Sequence, residues 1–171
     1  MKYYNAQEYK TISILGSFTK QMEDIKRAKE IFLSRGFKVI VPKSTTISGT
    51  QDASYVLLDT DNTKEPRKLE KAYLKGLIKA DVVYCCNKDG YIGGTAMFEL
   101  GYLIAKGQEV YFQEQPQEEL ILDLITEKSH ICTPERLCDM LLGENELWKE
   151  REWFDADHKY EPDFSFNKET Y

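Results

Sequence analysis

The chain of 171 residues is long enough for one domain with a substantial core and too short for two domains of ordinary size. Its 42% hydrophobic and 30% charged residues exclude collagen-like, low-complexity and wholly disordered proteins. The formal net charge of −6 disfavours a protein that grips phosphate backbones, so we expect no nucleic acid polymer as a partner.

The sequence lacks the patterns of a membrane protein and of a metal protein. No apolar run approaches the roughly 20 residues that cross a bilayer, and the N-terminus carries no apolar signal segment. We therefore expect a cytoplasmic protein with no membrane partner. The two histidines and four cysteines lack ligand spacing, which predicts no metal site and buried thiols at Cys85, Cys86, Cys132 and Cys138.

The first 42 residues predict a strand, a helix and a second strand. A short apolar and β-branched run at 11–16 predicts the first strand. Apolar residues at helical spacing predict a helix over about 19–35, with Gly36 as its C-terminal cap. The run 37–42 predicts the second strand. Tight β, α, β connections of this kind are typical of a parallel α/β sheet.

A long polar segment separates this unit from the next strand. Residues 43–66 are rich in Ser, Thr and Asp, and only an apolar patch at 55–58 interrupts them. A connection of this length is typical of a functional loop or lid. A helical pattern then covers about 67–79, and the continuous apolar run at 81–86 predicts a central strand that is covered on both faces.

The second half of the chain continues the alternation of helices and strands. A helix follows the glycine-rich link and ends near Gly107, and a strand is predicted over 109–113. After another helix, a short final strand is predicted over 128–132. The last predicted helix has Thr133 as its N-cap, followed by a proline at the first helical position.

Five strands that alternate with helices predict an α/β fold with a doubly wound parallel five-stranded sheet, flavodoxin-like in strand order 2-1-3-4-5, over residues 1–143. In that order strands 1 and 3 are neighbours, and ligands bind beyond their carboxyl ends. We therefore expect function in the loops 16–20 and 87–95. Residues 144–171 form an aromatic-rich C-terminal tail, which we expect to pack on its own or a neighbouring subunit.

The main candidate catalytic residue follows the second of these loops. Gly93 and Gly94 let the backbone approach a ligand closely, and Thr95 is expected to be the helix N-cap. This places Glu99 near the mouth of the crevice. A carboxylate there can attack the anomeric carbon of a ribosyl or deoxyribosyl group and form a glycosyl ester. The alternative is an acid that only complements the helix dipole.

A second group must help the base to depart. Asp89 lies at the carboxyl end of the third predicted strand and is the candidate for this role, although an Asp-Gly pair is also common in turns. Tyr91 belongs to the same loop and is a candidate substrate-binding residue, as are Gly93, Gly94 and Thr95.

The first loop is the other candidate substrate-binding segment. Gly16, Ser17 and Phe18 come directly before the first helix, where backbone N–H groups could bind a phosphate or a sugar hydroxyl. The alternative is a tight strand-to-helix turn in which Ser17 or Thr19 caps the helix.

Three segments, ILGSF, LIKADVVY and above all GGTAMFELGYLIAKGQEVYF, resemble nucleoside 2-deoxyribosyltransferases and their uncharacterised relatives. The resemblance covers about residues 11–113, and the nucleophilic glutamate of the family falls on Glu99. It implies a flavodoxin-like sheet, no metal or organic cofactor, and a small-molecule nucleoside or nucleotide as substrate. It also implies deoxyribosyl transfer or hydrolysis of an N-glycosidic bond, in a homo-oligomer whose C-terminal residues complete a neighbour's site.

The chain departs from the typical enzymes of this family at two positions. It has Tyr73 and Gly93 where they carry acids for base recognition and protonation. The form GYIGG of the second loop is more similar to the uncharacterised branch. Candidate replacements for the missing acids are Asp89 and the loop acids Asp52, Asp59 and Asp61.

Two other functions stay open at this point. A noncatalytic nucleotide- or nucleoside-binding module is favoured by the two missing acids. A nucleoside monophosphate phosphoribohydrolase is the other, because the segment GGTAMFE loosely resembles the GGxGTxxE motif of such enzymes. Catalysis predicts that Glu99→Ala abolishes base release or exchange, whereas a binding module predicts stabilisation by ligand without product.

Overall fold

The computed structural model describes residues 9–52, 55–124 and 130–143. Their strands, in chain order, are β1 Thr11–Gly16, β2 Lys38–Val39, β3 Ile47–Asp52, β4 Tyr55–Leu58, β5 Val82–Cys86 and β6 Val110–Phe112. Their helices are α1 Met22–Ser34, α2 Pro66–Lys79, α3 Gly94–Ala105, α4 Glu119–Leu124 and α5 Pro134–Leu142. The tail 144–171, which we predicted to pack on a subunit, lies outside the described residues.

Four parallel strands form the central sheet in the order β2-β1-β5-β6. This order agrees with the predicted order of the first four strands of the α/β sheet. The fifth strand, predicted over 128–132, is reduced in the described part of the chain to one parallel bridge between Phe112 and Ile131. Residues 125–129 lie outside the described residues, so five strands are not established.

The long polar segment, predicted as a functional loop or lid, contains two strands that the sequence pattern did not indicate. Strands β3 and β4 pair there as an antiparallel hairpin, with irregular register at two points. The sequence of β3, ISGTQD, lacks the apolar alternation that would have predicted a strand. The hairpin lies outside the parallel sheet as a separate two-stranded sheet.

Helices cover both faces of the parallel sheet. On one face, α1 and α5 bury Ile25, Phe32 and Leu137 against β1 and β5. On the other face, α2 and α3 bury Leu77 and Leu100 against the same two strands. The doubly wound arrangement therefore places α2 and α3 side by side on one face of the sheet, with strand β1 beneath them.

Helix α2 lies very close to the sheet at Gly76. The Ser13 hydroxyl of β1 donates a hydrogen bond to the Gly76 carbonyl over 3.0 Å. A Cβ atom added at Gly76 would lie 2.4 Å from a Val41 methyl group, which is closer than real side chains approach. Glycine is thus required for the close approach that fixes the position of α2, and this position matters for the site described below.

The last described helix begins as predicted. The Thr133 side chain accepts a hydrogen bond from the Arg136 backbone N–H over 3.3 Å, and Pro134 occupies the first helical position. Gly143 ends the helix in the left-handed conformation. Among the described residues, no helix is long and apolar enough to span a bilayer.

Candidate active site

The two loops predicted to form the site meet at the carboxyl ends of β1 and β5. These strands pair in parallel along their whole length, so that Gly16 lies opposite Cys86. The Gln21 side chain joins the loops that follow. It accepts a hydrogen bond from the Ser17 N–H over 2.9 Å and donates one to the Tyr91 carbonyl over 2.9 Å. Gln21 is 4% exposed, so both bonds are shielded from water.

Replacing Gln21 by leucine is expected to destabilise the fold by about 1–2 kcal/mol, because the Ser17 N–H and the Tyr91 carbonyl would lose their partner in a buried place. Urea unfolding of the two proteins measures the difference. The exposed Lys26 of α1 supplies the control variant Lys26→Gln, which should match wild type. Equal midpoints for Gln21→Leu and wild type would contradict a role for Gln21 in joining the loops.

Further contacts bring the predicted substrate-binding residues together. A Cβ atom added at Gly93 would lie 3.6 Å from the Tyr91 hydroxyl oxygen and 3.7 Å from the Ser17 Cβ. The Lys20 ammonium lies 4.1 Å from the centre of the Tyr91 ring, a cation–π contact. The mouth of the crevice is therefore built from both loops, with an exposed cation beside it.

Helix α3 begins two residues before the start that a Thr95 N-cap predicts. Gly93 is the N-cap, and its carbonyl accepts a hydrogen bond from the Met97 N–H over 2.8 Å. Thr95 therefore lies inside the first turn, exposed, and its prediction as the N-cap is wrong. An extended glycine satisfies the cap geometry at position 93 without a side-chain oxygen.

Glu99 consequently lies in the second turn of α3, and it is buried. Its exposed fraction is 4%, among residues that include Ala96, Leu100 and Leu103 of the same helix. A carboxylate that only complements a helix dipole lies in the first turn and in water. A role in complementing the helix dipole therefore does not explain why Glu99 is buried. Burying a carboxyl group without a partner costs free energy.

The partner of Glu99 is Glu70 of α2. The two carboxyl groups share a hydrogen bond in which Glu99 is the donor and Glu70 the acceptor. Burial first, then the charge of Glu70 and this hydrogen bond, raise the pKa of Glu99 to about 9. Burial also raises the pKa of Glu70. At neutral pH Glu99 therefore holds its proton.

Tyr73 and Cys85 are also near the pair. The Tyr73 hydroxyl donates a hydrogen bond to the Ile14 carbonyl, and burial followed by the charge of Glu99 raises its pKa. The Phe18 ring meets the Tyr73 ring edge to face, with centroids 5.6 Å apart. Burial and the charge of Glu99 also raise the pKa of the Cys85 thiol. Phe18, from the first loop, is thus connected to the carboxyl pair through Tyr73.

Asp89 has a different environment. It is exposed, with a φ of 56°, in the short 3₁₀ turn Lys88–Gly90. Its N–H donates to the Glu114 carboxylate over 2.9 Å, and its carbonyl accepts from the Gln117 amide over 2.7 Å. These contacts belong to the turn chemistry that an Asp-Gly pair commonly provides. Its role as a catalytic acid stays a prediction.

Glu70 is the residue of this site that sequence reasoning missed. It lies three residues before Tyr73, and residues at this spacing share one face of a helix. Tyr73 stands where the resemblance implies an acid, and the same helix face carries the acid Glu70 instead. Of the loop acids named instead, Asp61 accepts the Leu58 N–H over 2.9 Å in a turn.

A metal site is not found in the part of the chain that the structure describes: it contains no cluster of three or more metal-ligating side chains. The four cysteines are free thiols and buried, as predicted. The site therefore consists of two carboxyl groups, the aromatic rings of Phe18 and Tyr73, and the backbone of two loops.

No family model matches the sequence, and no curated protein matches it significantly. Among solved structures, the chain is similar to the CMP N-glycosidase BcmB of Clostridium botulinum, with 12% identity, a TM-score of 0.47, and coverage of 68% of this chain and 81% of that one. It is also similar to a conserved protein from Enterococcus faecalis V583, with 13% identity, a TM-score of 0.47, and coverage of 80% and 99%. Both likenesses concern the α/β fold.

Proposed function

We propose that this protein cleaves or exchanges the N-glycosidic bond of a nucleoside or nucleotide, with Glu99 as the nucleophile. The observation that carries the proposal is the burial of the Glu99 carboxyl group, with the partly buried Glu70 as its partner, on the helix that follows strand β5. Chemistry at a sugar carbon commonly uses a carboxylate nucleophile together with a second carboxyl group in a separate role. The resemblance of the segment around Glu99 to nucleoside 2-deoxyribosyltransferases supports the same reaction.

The reaction needs an ionised Glu99. Its proton passes along the existing hydrogen bond to Glu70, and the Glu99 carboxylate then attacks the anomeric carbon. The bond from that carbon to the base nitrogen breaks, and its electron pair leaves with the base. A proton goes to the departing base, and Asp89 is the predicted donor. Water or a second base then resolves the glycosyl ester and restores Glu99.

A noncatalytic nucleoside- or nucleotide-binding module is the second candidate. It is favoured by the proton that Glu99 holds at neutral pH, because a neutral carboxyl group is a poor nucleophile. In this case the crevice keeps its two loops and binds a ligand, but the proton never leaves Glu99.

Chromatography of a substrate panel separates the candidates. Ribo- and deoxyribonucleosides and their 5′-monophosphates are each incubated with a foreign free base and with wild-type or Glu99→Ala protein. New nucleoside would establish transfer, and free base alone would establish hydrolysis, provided that Glu99→Ala stops either. A requirement for the 5′-phosphate would favour the phosphoribohydrolase. Ligand-dependent stabilisation without product would favour the binding module.

Three further properties belong to the same proposal. We propose that a fifth strand completes a flavodoxin-like sheet and that the protein forms a homo-oligomer. We also propose that the tail 144–171 of the same or a neighbouring subunit contributes to the site. We also propose that the protein works without a cofactor and in the cytoplasm.

A further inference from the structure

The solvent-exposed face of α2 carries a row of cations, although the net charge of the chain is −6. Lys71, Lys75 and Lys79 are exposed and four residues apart, so they lie on one face of the helix. In the part of the chain that the structure describes, none of the three forms an ion pair with a carboxylate. Like charges at this spacing repel one another, and an anionic partner would relieve the repulsion.

The neighbouring helix α3 presents an apolar face to solvent. The side chains of Phe98 and Tyr102 are 61% and 37% exposed and lie one helical turn apart. The other exposed positions of α3 carry no charge. The Lys106 ammonium lies 5.6 Å from the centre of the Tyr102 ring and adds a further cation. An exposed apolar surface with a charged rim is typical of an interaction site.

These two surfaces adjoin, because α2 and α3 pack against each other. We call the combined surface the α2–α3 outer face. It consists of Lys71, Lys75, Lys79, Phe98, Tyr102 and Lys106.

The tail 144–171 has the composition that would complement this face. Its 28 residues include nine acidic, four basic and seven aromatic side chains. The acidic excess is opposite in charge to the row of lysines, and the aromatic rings can pack on Phe98 and Tyr102. Charge and apolar character thus both match.

The tail is also long enough to reach the α2–α3 outer face of its own chain. It follows Gly143 at the end of α5, which packs with α1 on the opposite face of the sheet. Extended, 28 residues span about 90 Å, and the path halfway around a domain of this size is about 60 Å. Roughly the last ten residues can therefore lie on the α2–α3 outer face. The segment 161–171 contains Glu161, Asp163, Phe164, Phe166, Glu169 and Tyr171.

We propose that residues 161–171 dock on the α2–α3 outer face of the same chain, with their carboxylates on the α2 lysines and their rings on Phe98 and Tyr102. The inference goes beyond the proposed function and does not require Glu99 to react, because Phe98 is exposed whereas Glu99 is buried. The docked tail holds α2 against α3, which are the helices that carry Glu70 and Glu99.

Chymotrypsin digestion of the full chain, with mass spectrometry of the products, tests the proposal. The bonds that follow Phe164 and Phe166 lie within the docked segment. Lys71→Glu/Lys75→Glu removes the charge attraction, and Phe98→Asp places a charge on the apolar surface. We expect each variant to be cleaved at these bonds at least about tenfold faster than wild type, because cleavage follows the population of undocked tail.

The controls are matched substitutions on α1, on the other face of the sheet. Lys26 is exposed and Leu33 is 51% exposed, so Lys26→Glu and Leu33→Asp repeat the same chemical changes away from the α2–α3 outer face. Both should be cleaved at the wild-type rate. Circular dichroism checks that every variant is folded.

A charge exchange distinguishes docking from a nonspecific loosening of the fold. Glu161→Lys/Glu169→Lys in the tail should by itself speed cleavage. Combined with Lys71→Glu/Lys75→Glu, it restores opposite charges and should bring the rate back to within about twofold of wild type. Failure of the combined variant to recover protection would overturn the pairing of tail carboxylates with α2 lysines.

Other occupants of the face give different results. Protection that increases with protein concentration would assign the tail of a second copy and overturn docking within one chain. Binding of a single-stranded RNA oligonucleotide that Lys71→Glu/Lys75→Glu abolishes, with a tail cleaved equally fast in both proteins, would assign the lysines to a polyanion and overturn the proposal.

The outcomes also separate this inference from the proposed function. Base release or exchange by a protein whose tail is cleaved as fast as in Phe98→Asp would reject docking and leave the function standing. A protected tail in a protein that turns over no nucleoside or nucleotide would support docking and reject the function.

Discussion

Replacement of Glu99 by glutamine is expected to lower base release or exchange by at least about 1000-fold, because the amide cannot attack a sugar carbon. Glutamine has nearly the same shape as glutamate and can donate a hydrogen bond to Glu70 as the protonated Glu99 does. The buried position on α3 should therefore be filled without a cavity, and the loss should appear in kcat rather than in folding.

The measurement is single-turnover and steady-state analysis of the best substrate of the panel, with circular dichroism as the check on folding. The variant Glu30→Gln, which changes an exposed acid on α1 to the same amide, should retain full activity. A Glu99→Gln protein that is folded and retains more than a few per cent of the wild-type rate would exclude Glu99 as the nucleophile.

The same Glu99→Gln protein is expected to be more stable than wild type by at least about 2 kcal/mol at pH 8. Burial raises the pKa of Glu99 from 4.5 to about 9, so the folded chain holds a proton that the unfolded chain releases. For such a group, the stability of the wild-type protein is fully present below pH 4.5 and is lost progressively as the pH rises towards 9. Glutamine has no proton to release, so the stability of the Glu99→Gln protein does not fall with pH in this way.

Thermal unfolding at a series of pH values from 4.5 to 9 tests this expectation. The difference between Glu99→Gln and wild type should be small at the acid end and grow steadily with pH. Glu30→Gln should follow the wild-type curve throughout. If the Glu99→Gln curve runs parallel to that of wild type, the carboxyl group is ionised in the folded protein and does not hold the shared proton.

The alternation of apolar runs and helical patterns was enough to predict the parallel part of the fold. The runs around Ile14 and Val83 are largely apolar because their strands are covered on both faces, and such runs are visible in a sequence. The hairpin of β3 and β4 was not visible, because the segment ISGTQD is polar and pairs through its backbone. Thr133 was recognised as a cap since capping depends on neighbouring residues only.

The site was predictable only in part, for a similar reason. The loops follow from the strand order, and Glu99 follows from its motif. The contact between Glu99 and Glu70 joins two helices separated by a strand and a loop, and no local pattern records it. The start of α3 at Gly94 differs by two residues from the predicted one, because an extended glycine and a threonine side chain can both satisfy a helix end.

The side chain of Gln21 makes the two loops a single mechanical unit. Neither loop can move away from the other without breaking a hydrogen bond of the buried Gln21 side chain. A ligand that enters meets two loops that are already joined, which lowers the entropy cost of ordering them on binding. We therefore expect the crevice to keep one width, and to bind ligands of one size better than ligands of varied size.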